Sequence, residues 1–145
     1  MQHVAIMKKS WKLIPQIVAG HKTIESRWYQ TKRAPWDRVA YGDTVYFKNS
    51  GEPVTAQASV SKVLQFELST REEVEDIIRR YNKHIMIPDS VIQSWAGPHG
   101  DTSKLPKYCI LIFLEHAKAV KPFTIDKTGF GTPCAWLCLE KFSTK

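Results

Sequence analysis

Gly20 divides two incompatible apolar rhythms, and the junction between them limits what the chain can build. Before it, Leu13, Ile14, Ile17 and Val18 recur at helical spacing. After it, from His21 to Trp28, sidedness alternates as in a strand. Pro15 must lie near the start of the helix, because deeper in it the ring would cost a hydrogen bond. Gly20 is placed to end the helix in the left-handed conformation. His3 to Met7 is a short apolar run that reads as an earlier strand, joined to the helix by the basic Lys8-Lys9-Ser10. The chain therefore opens as strand, short helix, sharp exit, strand.

Three full charges, Lys22, Glu25 and Arg27, fall within six residues of that exit. In a regular strand Lys22, Ile24, Ser26 and Trp28 share one face, and Thr23, Glu25 and Arg27 the other. Glu25 and Arg27 are thus same-face neighbours. Lys22, directly after the turn, need not obey the strand's parity. Such a trio either pairs internally, pinning a strand to a helix end, or surrounds a polar ligand.

Downstream, Tyr29 to Arg38 is a basic loop carrying Lys32, Arg33 and Arg38 around Trp36. Gly42-Asp43 is a turn signal, Thr44 to Phe47 is strand-like, and Lys48 to Pro53 is a turn cluster. Lys48, Asn49 and Ser50 there fit either a phosphate or base-edge site or an ordinary hairpin. Val54 to Val63 alternates as a half-buried strand. Ser69 or Thr70 caps a helix with Glu72 and Glu73 in its first turn, Arg79 and Arg80 in its last, and a Val74, Ile77, Ile78, Tyr81 stripe. Pro88-Asp89-Ser90 starts a short helix through Trp95, and a loop follows at 97–101. Tyr108 to Leu114 reads as a central strand, Val120 to Ile125 as another, 129–133 as a turn and Ala135 to Leu139 as the last strand. Strands dominate, which predicts an α+β fold: a small mixed barrel or strongly curled sheet with peripheral helices, as one domain over residues 1–145.

Composition narrows the partners. The net charge of +7 favours polyanions, with RNA or DNA the usual ones. Trp11, Trp28, Trp36 and Trp95 each stand within a few residues of Lys or Arg, an interleaving that suits base stacking beside phosphate pairing. No apolar run approaches bilayer length, so no membrane partner is expected. The first nine residues place their charges after the apolar ones, unlike a signal peptide, which makes a cytoplasmic location the default. Cys109, Cys134 and Cys138 lack zinc spacing and sit among apolar residues, so they read as buried free thiols. No metal and no cofactor are expected.

Gly20-His21-Lys22-Thr23-Ile24-Glu25-Ser26-Arg27 resembles the G-x-K-x-x-E-x-R signature of ASCH domains, members of the PUA-like barrel superfamily. The resemblance extends over most of the chain and is weakest from Lys83 to Lys107. It implies a PUA-like β-barrel with a cleft beside the signature, in a superfamily associated with RNA and modified bases. One ASCH branch hydrolyses the amide of acetylated cytidine with a lysine, a threonine and a glutamate. Lys22 matches that lysine. The threonine's position is held here by Glu25, with Thr23 two residues before it, and the glutamate is not placed on the helix after Ser69. Thr44 to Val60 also resembles EVE domains, PUA-like relatives associated with modified bases in DNA.

These observations converge on recognition of RNA or a modified nucleotide, with DNA carrying modified bases as a variant. Lys8, Lys9, Arg33 and Lys48 hold phosphates in this reading, and Asn49 and Ser50 supply further donors. Trp28, Trp36 or Trp136 stacks on the base, and Lys22, Glu25 and Arg27 line the polar wall. The rival reading is a hydrolase, an amidohydrolase on acylated cytidine or a ribonuclease, with Lys22, Glu25 and Thr23 as catalytic groups. A third is a protein-interaction module built on the Trp28 to Trp36 loop.

Overall fold

The computed structural model describes residues 1–95, 102–126 and 135–139. The loop expected at 97–101, the turn at 129–133 and Cys134 lie outside them. The elements run β1 (Gln2–Met7), a 3-10 turn (Lys9–Trp11), α1 (Leu13–Val18), β2 (Ile24–Tyr29), β3 (Thr44–Asn49), β4 (Val54–Glu67), α2 (Arg71–Ile85), α3 (Asp89–Ser94), β5 (Tyr108–Phe123) and β6 (Trp136–Leu139).

The six strands form one mixed sheet in the order β2-β5-β4-β3-β1-β6. β1 and β3 pair in parallel, and the other pairs are antiparallel. This is the α+β curled sheet with peripheral helices expected of a PUA-like barrel. Its two edge strands, β2 and β6, approach each other through the side chain of Arg27. The guanidinium of Arg27 on β2 donates to the carbonyls of Ile6 in β1 and Ala135 just before β6, both at 3.3 Å. One side chain thus stands in for a missing row of ladder hydrogen bonds.

β5 explains why the 108–114 run is apolar at every position. Ile110 and Ile112 point into the barrel interior with Val45, Phe47, Ala56 and Ile17. Cys109 and Leu111 point outward, under α2, with Ile24, Val74, Ile77 and Ile85. A strand buried on both faces has no polar face to show. Val120 and its neighbours are the far half of this same strand rather than a separate one. The strand bends at His116, which takes φ 54°, and its pairing with β4 shifts register at several points.

Local signals account for the helix ends. Thr70 Oγ1 accepts from the Glu73 amide, while Glu73 reaches back to the Ser69 amide, so α2 begins with a reciprocal cap. Met86 ends α2 in the left-handed conformation at φ 57°. Gly20 takes φ 81° after α1, where the amides of His21 and Lys22 both donate to the Gln16 carbonyl. That tight exit sets where β2 begins: at Ile24, three residues later than the alternation suggests, which leaves Lys22 outside the strand.

Candidate functional site

The exit from α1 drives Lys22 inward. Only 2% of the residue is exposed, and its ammonium is surrounded by three acceptors. These are the carbonyl of Ile24 at 2.8 Å, the carbonyl of Ile85 at the end of α2, and Glu25 Oε1 at 3.3 Å. Glu25, 3% exposed, accepts from the Ser26 amide (3.0 Å) and Lys22 on Oε1 and from Arg27 Nη2 (3.2 Å) on Oε2. Arg27 also contacts Met7 Sδ at 3.5 Å, and its Cζ lies 5.1 Å from the centre of the Trp136 ring. Because Lys22 sits before the strand, it meets Glu25 despite their opposite parity.

Burial lowers the Lys22 pKa, and the neighbouring carboxylate works against that. Burial pushes the Glu25 carboxyl up, but the charges of Lys22 and Arg27 together overcome it and hold it below the usual glutamate value. The three acceptors around Lys22 match the three hydrogens of an ammonium, so the trio is held as two cations and one anion. Burial likewise raises the Tyr29 phenol.

These side chains are mated to one another, yet they are not sealed in. A hollow of about 220 Å³ opens against them. Lys22, Glu25 and Arg27 form its polar wall, and Trp11, Trp28, Tyr29 and Trp95 its aromatic one. Ile85, Ile87, Pro88 and Val91 close the side under α2 and α3. Trp28 packs tilted on Trp95 with ring centres 5.1 Å apart, and its indole N–H donates to Ser26 Oγ at 2.9 Å. Two exposed cations stand over this wall. Lys8, which also lines the hollow, has its Nζ 5.7 Å from the Trp11 ring centre, and the Arg33 Cζ is 5.1 Å from that of Tyr29.

The other residues singled out from the sequence fall elsewhere. Thr23 does not line the hollow; its amide donates to the His84 carbonyl and its carbonyl accepts from Leu114. Trp36 packs edge-on against Tyr108, outside the hollow. Trp136 is no open stacking surface: it is 2% exposed, packed in the barrel core, and its Nε1 donates to His3. Lys48 is 5% exposed and so no phosphate ligand of an open surface. Lys9 pairs with Glu52 at 2.7 Å, Asn49 donates to the same carboxylate at 3.1 Å, and the exposed Ser50 donates its amide to Met7. The 48–53 cluster is therefore a hairpin tied to the 3-10 turn. α2 brings no carboxylate to the hollow: Glu73 is spent on the helix cap, and Asp76 pairs with Arg79 and Arg80.

Trp11, Tyr29 and Trp95 line the hollow, although of the three residues named as base-stacking candidates only Trp28 does. Their signal was the clustering of tryptophan with lysine and arginine. It could not say which indoles meet, because 67 positions separate Trp28 from Trp95, which sits at the end of α3. Among the described residues no group of three His, Cys, Asp or Glu could hold a metal ion. No described helix is long and apolar enough to cross a membrane.

No family model and no curated protein matches the sequence. Solved structures do. The crystal structure of ASCH from Zymomonas mobilis aligns with a TM-score of 0.66 over 97% of this chain and 88% of that one, at 17% identity. A mutant of the same protein aligns at 0.67 over 97% and 89%, at 16% identity. Identity this low speaks for the fold and not for the chemistry, and with the signature at the mouth of the same curled sheet, the chain has the fold of an ASCH domain.

Proposed function

We propose that the hollow binds a single nucleobase, as a nucleotide or as one residue of an RNA strand. One observation carries this reading: four aromatic side chains, the buried Lys22 and Glu25 and the half-buried Arg27 face the same small hollow. Aromatic walls stack any base, and the polar wall meets its edge. At about 220 Å³ the space is smaller than the roughly 300 Å³ at which drug-sized pockets begin, which suits one heterocycle with its sugar outside. In this reading Lys8 at the rim and Arg33 over Tyr29 meet its phosphates. DNA carrying a modified base is accommodated by the same chemistry.

Hydrolysis is the second reading, favoured by the lowered Lys22 pKa. Two facts weigh against it. The ammonium's hydrogens are all matched to acceptors, and among the described residues no carboxylate other than Glu25 lines the hollow. Titrating tryptophan fluorescence with cytidine monophosphate, N4-acetylcytidine and a short single-stranded RNA tests both. Salt-dependent quenching, without turnover and weakened in Trp28→Ala, is expected. Turnover of any probe that disappears in Lys22→Ala identifies a hydrolase. Absence of binding at low salt refutes both and leaves the protein-interaction reading.

A further inference from the structure

The Arg27 guanidinium is held from behind as well as from the side. Behind it lies the Trp136 ring, and behind Trp136 lies His3, which is 0% exposed. An indole N–H can only donate. The 3.1 Å contact from Trp136 Nε1 therefore makes His3 Nδ1 an acceptor without a proton. The ring proton sits on Nε2, which donates to Asp43 Oδ2 at 2.8 Å. Asp43 is fixed in turn by the Ala40 amide at 3.0 Å and by the Met1 amino group at 3.1 Å. An unbroken line of contacts thus runs Asp43, His3, Trp136, Arg27, Glu25 through the barrel interior. None of the first three residues touches the hollow.

We propose that His3 is a positioning residue for the site. Its neutral Nδ1 fixes the Trp136 indole, and the indole face fixes the Arg27 guanidinium that closes the barrel seam and aligns Glu25. Protonating Nδ1 sets two donors against each other at the 3.1 Å contact and releases the indole. The groups around His3 oppose one another: Asp43 favours the proton, whereas burial, the Met1 amino group and Arg38 disfavour it, with burial the strongest. Cys138 stands opposite His3 across the β1–β6 register. The switch is therefore off at neutral pH and thrown only in acid. What an aligned Glu25 does rests on the nucleobase reading above, but the seam can be read with no ligand present.

Nuclear magnetic resonance of the whole protein provides the test. At neutral pH the His3 ring nitrogens should show the Nε2–H tautomer. In acid, at a pH lower than the ordinary histidine value of about 6.5 because burial holds His3 below it, the Trp136 indole N–H and the Arg27 side-chain N–H signals should move together, with one midpoint, while circular dichroism shows the fold intact. His3→Gln keeps an acceptor for Trp136 and a donor for Asp43. It should preserve the neutral-pH signals of Arg27 and abolish their titration. His3→Leu should displace the Arg27 signals at every pH. Arg27 signals that ignore the His3 titration overturn the proposal, as does a titration that persists in His3→Gln. Because these two arms do not depend on His3→Leu folding, they decide the matter alone.

Discussion

Lys22 shows how one buried cation can be both expensive and necessary. Its desolvation is offset by two backbone carbonyls and a carboxylate. Lys22→Ala removes the cation and leaves the Ile24 and Ile85 carbonyls unsatisfied beside a buried Glu25. Breaking a buried pair in this way typically costs 3–5 kcal/mol; with Arg27 still present to face Glu25, about 3 kcal/mol is expected, read as a lower midpoint in urea unfolding. Trp28 offers the contrast. It is half-buried, contacts Trp95 and lines the hollow. Trp28→Ala should weaken binding of a ribonucleotide by roughly 1–3 kcal/mol, visible in a fluorescence titration. A full loss of binding together with a loss of folded signal would instead make it a core residue.

At the scale of elements, caps and exits do more positioning than the strands themselves. Gly20 at φ 81° has nothing within 4 Å of where a Cβ would sit, so Gly20→Ala meets no clash. Its cost is backbone strain alone, about 1–2 kcal/mol, and it acts on the turn that aims Lys22. The expected outcome is a modest fall in melting temperature with a larger disturbance of binding than the stability change explains. Thr70→Ala, by comparison, removes the α2 cap far from the hollow. It should cost about 1 kcal/mol and leave ligand binding unchanged. The pair of variants separates stability from site geometry. α3 is a third case. With none of its residues fully buried, it serves mainly to present Trp95 and Val91 to the hollow.

For the whole molecule the controlling feature is an open sheet closed by side chains, and pH reads it out. His3 has a folded pKa below its unfolded value of 6.5, so the unfolded chain takes the proton first as pH falls. Stability should therefore begin to drop below about pH 6.5. Asp43 and Glu25 are also held low. Their contributions are present above the ordinary carboxylate pKa of about 4 and vanish as pH falls through their folded values. Melting temperature against pH should thus descend in two stages, and His3→Gln should erase the first. A single stage near pH 4 in the unmutated protein would contradict this. The sequence by itself determined the elements and their caps: the 13–18 helix, the Gly20 exit, the Thr70 start, the apolar 108–114 half of β5 and the Lys22-Glu25-Arg27 cluster. Each is written in local periodicity, in backbone limits or in residues a few positions apart. Tertiary structure alone decided which tryptophans meet, that Trp136 and Lys48 turn inward, that Val120 continues β5, and that His3 backs Arg27. Those outcomes depend on contacts between residues dozens of positions apart, where adjacency in the chain carries no information about adjacency in space.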